Sequence, residues 1–587
     1  MLHARGRLSG SPLAFDTDSG KLAALNKFGK NSGSYLLAVA AGLLLTAAFP
    51  KIGVAGFAWI APALMLAAAQ GKRGGEAFGI GYVAGLAHFL SSLYWLTLMP
   101  VTGLPILAWV ALSAYVALYP AAWTWMNGLV DQWIAGNTHP STNPSIHQSW
   151  ARRFLWSLGG AASWVGLEMV RAHLLTGFPW NLVGVSQYKL IPLIQIASVT
   201  GAYGVSFLVV WLSLTVYSAV HLMLRQPNTR LIWQAEIILP LLVIVGLFVF
   251  GFARLSGENP APAALRVTLV QPSVPQTLIW NAAEDARRFQ ELLAQSAKAL
   301  EKTGLLVWPE SAVPETDEAT CRAISNFAQT NHVWIILNGE DAEIVKGATN
   351  YYNAAGLISP DGRWLETYHK RRLVIFGEYV PLANWLPFVK YLTPITGGWT
   401  PGDKPVQFSL QVEGRETSAE NKPFAGETNV IALGGHSTTS SRQSIKTSPL
   451  ICFEDVFPGL ARDSASDDTD FLVNLTNDGW FRQSAEQWQH MASAVFRAVE
   501  NGRPLVRCAN NGITCWIDAS GRIREKLRDN SGSVYGNGAM TVDIPVGANR
   551  GSTFYHRHGD WFGWSCVVLT AALAARRISG RRKQLFP

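Results

Sequence analysis

The sequence predicts an α-helical membrane bundle of about eight spans joined to one α/β domain, and three observations predict it. Charged residues make up only 15% of the 587, against about a quarter in a typical soluble protein. The deficit is uneven. Residues 35–253 run nearly free of charge over long stretches, whereas 266–548 look like ordinary globular sequence. Within that second region strand and helix patterns alternate, the mark of a layered α/β fold. It is long enough to bury a core of its own.

Residues 1–33 are polar and basic (Arg5, Arg7, Lys21, Lys27, Lys30) and lack the pattern of a cleaved signal peptide. A helix needs about 20 apolar residues to cross a bilayer. Seven segments are read as spans: 34–50, 53–70, 78–99, 104–127, 154–172, 191–222 and 234–253. The first two are short and joined tightly around Pro50. The sixth is long and contains Gly201 and Gly204, which suits an interfacial start. An eighth covers 559–576, so a domain of 254–558 lies between the bundle and a last helix, with a basic tail at 577–587.

Loop charges orient the chain. Lys72, Arg73, Arg152, Arg153, Arg225 and Arg230 fall on the side of the N-terminus, as do Arg576, Arg577, Arg581, Arg582 and Lys583. The opposite short loops hold little more than Lys51 and Lys189. The positive-inside rule then puts both termini in the cytoplasm. It puts 254–558 in the periplasm of a multi-pass protein of a bacterial inner membrane. The net charge of +8 reflects this topology and implies no nucleic-acid partner.

In the α/β domain, 266–273 is a strand and 281–301 an amphipathic helix with Phe289, Leu292, Leu293 and Leu300 on one side. Strands follow at 305–308, 332–338, 351–359 and 364–368, the last two joined by a turn at Asp361-Gly362. Residues 409–446, rich in Ser, Thr and Gly, read as a surface insertion. Then come a strand at 471–475, a helix at 485–500, and strands at 504–509 and 513–517.

Three stretches in this domain carry chemistry. Trp308-Pro309-Glu310-Ser311 ends a strand on a glutamate. His369-Lys370 opens a stretch that runs on to Phe376-Gly377-Glu378-Tyr379-Val380-Pro381. Ser448-Pro449-Leu450-Ile451-Cys452-Phe453-Glu454-Asp455 carries an apolar strand into a thiol and two acids. Strand ends are where α/β sheets build pockets. A lone cysteine is most often a small buried apolar residue. The other four (Cys321, Cys508, Cys515, Cys566) form no CxxC pair, which argues against a zinc site or a disulfide framework. A thiol is mostly protonated at neutral pH, a glutamate can take its proton, and a lysine can steady the oxyanion formed on attack. Spacing alone does not bring Glu310, Lys370 and Cys452 together.

The three stretches resemble the Glu–Lys–Cys triad of the nitrilase, or carbon–nitrogen hydrolase, superfamily. Set in a polytopic chain, they resemble the apolipoprotein N-acyltransferase family in particular, and the likeness covers nearly the whole sequence. The resemblance implies a nitrilase-like αββα sandwich, with Glu310 as base, Lys370 as oxyanion stabiliser and Cys452 as nucleophile. It adds Glu378 and Glu454 as supporting carboxylates and Phe453 as an aromatic wall. Glu378 and Glu454 could instead be ordinary ion-pair partners of Arg371 or Arg372. Trp280 resembles a family tryptophan near the acyl-chain entrance, though interfacial anchoring is an equal reading. Trp180, in Phe178-Pro179-Trp180-Asn181, is a candidate for a lipid path or for interfacial packing. Trp399, in the 390–401 loop, is a candidate lid residue. Asn474, Asn477 and Asp478 read as turn-bonding residues. His88 and Glu168 lie inside spans, where ionisable groups are expensive and often functional.

The expected reaction is acyl transfer from a membrane phospholipid, through a thioester on Cys452, to the N-terminal amine of a diacylglyceryl apolipoprotein. No metal or organic cofactor is implied. One rival is a membrane-anchored amidase in which water resolves the thioester; a single anchor helix would then suffice. Another is a transporter with an external binding domain, which calls for charged or broken helices at midplane.

Overall fold

The computed structural model describes residues 18–101, 104–135, 149–225, 230–257, 263–301, 303–380, 398–414, 430–431, 441–547 and 551–585. In the bundle the main helices are α1 (Asp18–Ala48), α2 (Ala61–Ala68), α3 (Gly75–Ser92), α4 (Leu104–Val116), α5 (Leu118–Ala135), α6 (Trp150–His173), α7 (Ala202–Arg225) and α8 (Arg230–Ser256). Small residues let them approach closely, as membrane helices require. A methyl group added at Gly85 of α3 would fall 2.9 Å from the Ala117 backbone.

Among the described residues, three helical stretches are long and apolar enough to span: Pro105–Asn127, Ala202–Leu224 and Trp233–Ser256. Two of the eight segments read as spans are not single continuous helices. The segment 53–70 is a 3-10 turn at Ala55–Trp59 followed by the eight residues of α2. Residues 191–200 likewise form two short turns, and Gly201 then takes a φ of +67° before α7 begins. The sixth apolar stretch thus does start with a non-spanning piece.

The α/β domain holds two sheets. The first orders β13-β1-β2-β3-β4-β5, from β1 (Ala263–Gln271), β2 (Leu305–Val307), β3 (Trp334–Val345), β4 (Ala348–Ile358), β5 (Trp364–His369) and β13 (Gly538–Val546). The second orders β12-β11-β10-β9-β8-β6, from β6 (Phe408–Gly414), β8 (Ser441–Ile451), β9 (Phe471–Thr476), β10 (Leu505–Ala509), β11 (Cys515–Ile517) and β12 (Ile523–Lys526). The short β7 (Val430–Ile431) pairs with β1. Leu265, Val267 and Ile336 of one sheet share a buried core with Leu410, Val473 and Val506 of the other.

Helices α9 (Ala282–Ala299) and α10 (Glu318–Asn331) cover the outer face of the first sheet through Phe289, Leu292, Ile324 and Ala328. Helix α11 (Glu486–Asn501) covers the second, and its Met491, Val495 and Val499 share one apolar cluster with the bundle. The layers are α, β, β, α, then membrane helices, and a last helix α12 (Trp561–Leu585) packs against α6.

The reading of 409–446 as a surface insertion is corrected at both ends. Residues 408–414 and 441–451 pair as strands β6 and β8. Phe408, Leu410, Val412 and Ile445 are buried, while Ser409, Gln411 and Ser444 bond one another at the surface. Polar composition averaged over the stretch hid this period of two. Residues 415–429 and 432–440 lie outside the described residues.

Candidate active site

Each of the three motifs lies at the end of a strand, and two of them meet directly where Lys370 reaches Glu310. Strand β2 ends at Val307, and the Trp308 amide continues the pairing to the Ile336 carbonyl at 2.9 Å. Trp308 is fully buried, its indole donating to Ser296 Oγ at 2.9 Å, so the turn carrying Glu310 rests on a fixed ring. Beyond β5 the Lys370 amide donates to the Asn353 carbonyl at 2.8 Å. Strand β8 ends at Ile451, and Cys452 follows with a φ of +52°, in the left-handed region. A non-glycine residue held there is strained, and such strain gathers at functional sites. The Cys452 carbonyl is fixed by Asn474 Nδ2 at 2.9 Å.

Lys370, 1% exposed, lies between two carboxylates. Its Nζ donates to Glu378 Oε1 at 2.7 Å and to Glu310 Oε1 at 3.3 Å. Asn353 Nδ2 donates to the same two oxygens, at 3.1 Å for Glu310 and 2.9 Å for Glu378. The outer oxygens take backbone amides: Asn477 N–H to Glu310 Oε2 at 3.0 Å and Val374 N–H to Glu378 Oε2 at 2.8 Å. Burial alone would lower the Lys370 pKa, but Glu310, Glu378 and Cys452 outweigh it and hold the ammonium well above its ordinary range. Burial, then the Glu310 carboxylate, pushes the Cys452 thiol well above its usual value; Lys370 and Thr476 oppose them. The arrangement favours a protonated thiol at rest, within the field of the Glu310 carboxylate.

Residues 41–215 match the family model for the apolipoprotein N-acyltransferase N-terminal domain, and 266–544 match the carbon-nitrogen hydrolase model. The apolipoprotein N-acyltransferase of Geobacter metallireducens is 34% identical over 94% of this chain and 96% of its own length. This chain belongs to the apolipoprotein N-acyltransferase family. The Rickettsia prowazekii member is 30% identical over 77% of this chain and 80% of its own. That of Bradyrhizobium diazoefficiens is 29% identical over 93% and 95%. A solved amidase from Nesterenkonia sp. aligns with 49% of this chain and 92% of its own, at 14% identity and a TM-score of 0.30.

Within this N-acyltransferase chain the expected site residues fall into three groups. Glu310, Lys370 and Glu378 make direct contacts, and the Cys452 thiol lies close enough to feel the charges of Glu310 and Lys370. Glu454 is fully buried behind them. It accepts from the Tyr368 hydroxyl at 2.8 Å and from the amides of Ile451, Arg371 and Arg372 at 2.8, 2.7 and 3.0 Å. Glu454 takes the backbone N–H groups of Arg371 and Arg372, and so staples the lysine segment to the cysteine strand. Phe453 packs edge-on against Phe457, with ring centroids 4.9 Å apart.

Trp280 is 63% exposed and packs edge-on against Trp480. Trp180 is buried, its indole donating to Gln489 Oε1 at 2.8 Å, which favours the packing reading. Trp399 joins the site through its backbone, whose N–H donates to the Glu378 carbonyl at 2.9 Å. Most of the 390–401 lid candidate lies outside the described residues.

Asn474 and Asn477 do more than close a turn, since one holds the Cys452 carbonyl and the other's amide holds Glu310. Sequence reasoning missed Asn353. Its signal is a lone amide side chain opening the apolar run Ala354-Ala355-Gly356-Leu357-Ile358. His88 and Glu168 are buried in the bundle; His88 contacts Thr46, and Glu168 accepts from Trp164 and the Val183 amide.

Proposed function

We propose that the chain transfers a fatty acyl group from a membrane phospholipid to the N-terminal α-amine of a diacylglyceryl apolipoprotein, with Cys452 as nucleophile, Glu310 as base and Lys370 as oxyanion stabiliser. The Cys452 thiol gives its proton to Glu310 as the sulfur attacks the ester carbon. The Lys370 ammonium and a backbone amide beside Cys452 hold the oxyanion. As the carbon–oxygen bond breaks, Glu310 returns its proton to the leaving lysophospholipid, and a thioester remains. The lipoprotein amine then attacks that carbon, Glu310 accepts the amine's proton, and the carbon–sulfur bond breaks. The proton passes back to sulfur and the N-acylated lipoprotein leaves. Glu378 keeps Lys370 in place, and Glu454 fixes the strands beneath.

The observation that carries the lipid substrates is an apolar contact between the nucleophile's turn and the helical bundle. Phe453, next to the nucleophile, belongs to one cluster with Val456 and Phe457 of the domain and Phe89, Leu93, Trp109 and Val116 of the bundle. This packing seats the nucleophile's turn directly on the apolar bundle, where the acyl chains of membrane lipids lie. The amidase alternative is not favoured. In the same reading the chain crosses an inner membrane about eight times, keeps both termini in the cytoplasm and works on the periplasmic face. Trp280 and Trp399 border the lipid route, while Trp180 packs inside the bundle contact.

The test is purified full-length protein incubated with phospholipid and then with a diacylated lipopeptide. Mass spectrometry is expected to find a fatty acyl adduct on Cys452 that passes to the lipopeptide amine. A wild-type protein that transfers acyl chains with no adduct at Cys452, or a Cys452→Ala protein that still transfers them, overturns the reading.

A further inference from the structure

Beneath the cleft lies a second cluster of charge that the mechanism above does not use. Asp455, Asp478, Glu486, His490 and Arg507 are all buried. His490 Nε2 lies 2.7 Å from Asp455 Oδ1, and Nδ1 lies 3.0 Å from Asp478 Oδ1. Arg507 repeats the span, with Nη1 2.9 Å from Asp455 Oδ2 and Nη2 2.8 Å from Asp478 Oδ2. Glu486 Oε1 approaches His490 Nδ1 at 3.5 Å. Asp478, Glu486 and His490 have the spacing of a metal triad, but the Arg507 guanidinium already stands among them, 2.8 Å from His490 Nδ1.

The two aspartates matter for where they sit. Asp455 is in the turn that begins with Cys452. Asp478 follows Asn477, whose amide holds Glu310. His490 and Arg507 therefore clamp the nucleophile's turn to the base's turn. The residue before the clamp faces the other way. Gln489 Oε1 accepts from the indoles of Trp180 at 2.8 Å and Trp95 at 3.2 Å. Its Nε2 donates to the carbonyls of Pro50 at 3.1 Å and Ser92 at 3.3 Å. All four groups belong to bundle segments, and Gln489 and His490 are neighbours on α11.

We propose that His490 is a positioning residue of the acyl transfer, bridging the turns that carry Cys452 and support Glu310, and that Gln489 ties this bridge to the membrane bundle. The distance between sulfur and carboxylate then depends on how α11 is seated on the bundle. The proposal rests on the acyl-transfer reading. Burial and Arg507 both act to lower the His490 pKa, and Asp455 and Asp478 outweigh them, which matches an imidazole held between two carboxylates.

The test uses full-length protein in vesicles of phosphatidylethanolamine and phosphatidylglycerol, comparing wild type with His490→Gln and Gln489→Met. The readout is the rate of thioester formation at Cys452, normalised to folded protein titrated at that thiol by iodoacetamide. For His490→Gln we expect a fall of about tenfold or more at saturating lipid, because misplaced reacting groups lose rate steeply. The half-saturating lipid concentration is expected to stay within about twofold, since only reacting geometry changes. Gln489→Met is expected to fall in the same sense by less. A folded His490→Gln protein with the wild-type rate, or with its whole loss in half-saturating concentration, overturns the proposal. If His490→Gln does not fold, an unchanged rate in Gln489→Met overturns it. A wild type that forms no thioester instead sinks the acyl-transfer reading.

Discussion

Two buried charge clusters sit on either side of residues 474–478, and they use similar groups for different ends. In the cleft, one ammonium, Lys370, serves two carboxylates and lies beside a thiol. In the clamp, His490 and Arg507 serve three carboxylates with no nucleophile among them. The cleft contains a group, Cys452, that keeps partial exposure, whereas the clamp is sealed. A buried ion pair is weak evidence of stability in itself. In the proposed reading the difference lies in the thiol: the same kinds of charged group serve chemistry where a strained, partly exposed cysteine joins them, and hold turns together where none does.

The contrast breaks most sharply at the thiol. Cys452→Ala is expected to abolish transfer, a loss of about a thousandfold or more, while leaving the thermal unfolding midpoint near wild type. A lipopeptide acylation assay and a melting curve on the same sample check both halves. Lys370→Met comes next. It removes the oxyanion's cation and leaves Glu310 and Glu378 together without it. Thioester formation is expected to fall by about a hundredfold to a thousandfold, read by stopped-time mass spectrometry of the Cys452 adduct.

Much of the cleft was legible from sequence, and for a physical reason. Glu310 and Cys452 each follow an apolar strand, a recognisable local signal, whereas Lys370 follows the mixed strand Trp364–His369, and resemblance to a family, not spacing, joined the three. The alternation that gives β1, β3, β4, β9, α9 and α11 is local as well. What stayed hidden depends on contacts between distant segments. Glu454 stands two residues from the thiol, yet its carboxylate faces the Arg371 and Arg372 amides, which no pattern along the chain reveals. The clamp draws on Asp455, Asp478, His490 and Arg507 from four separate segments. In the bundle, composition marked 53–70 as a span, because apolar content does not distinguish one crossing helix from two short helical pieces.

On the clamp side, Arg507→Met is expected to leave Asp455, Asp478 and Glu486 with too little positive charge. Removing one partner of a buried pair costs about 3–5 kcal/mol, so the full-length protein should melt markedly lower. Thermal unfolding of wild type and variant in the same detergent decides it. A smaller effect concerns pH. Burial, then repulsion from Asp478, raises Glu486 to about 7, above its ordinary carboxylate value. Between the two values the folded state binds more protons than the unfolded, so stability is fullest below the ordinary value and falls as pH rises through about 7. Glu486→Gln is expected to reduce that decline. Part of it should persist, because burial also raises Glu500 to about 7. A melting series across pH 4–8 for both proteins measures the difference in slope, and equal slopes would remove Glu486 from the account.

The smallest effect belongs to a third arrangement of the same groups. On α9, Arg287 bridges Glu284 at 2.5 Å and Glu291 at 2.6 Å, with its side chain 56% exposed. By distance alone these contacts are tighter than those of Lys370. Water solvates all three groups, however, and an exposed pair must also hold long side chains in one geometry. Arg287→Ala is therefore expected to leave both the melting midpoint and the acylation rate unchanged within error. A measurable drop in either would mean that contact distance, and not burial, ranks the ion pairs of this chain, and the comparison between cleft and clamp would lose its basis.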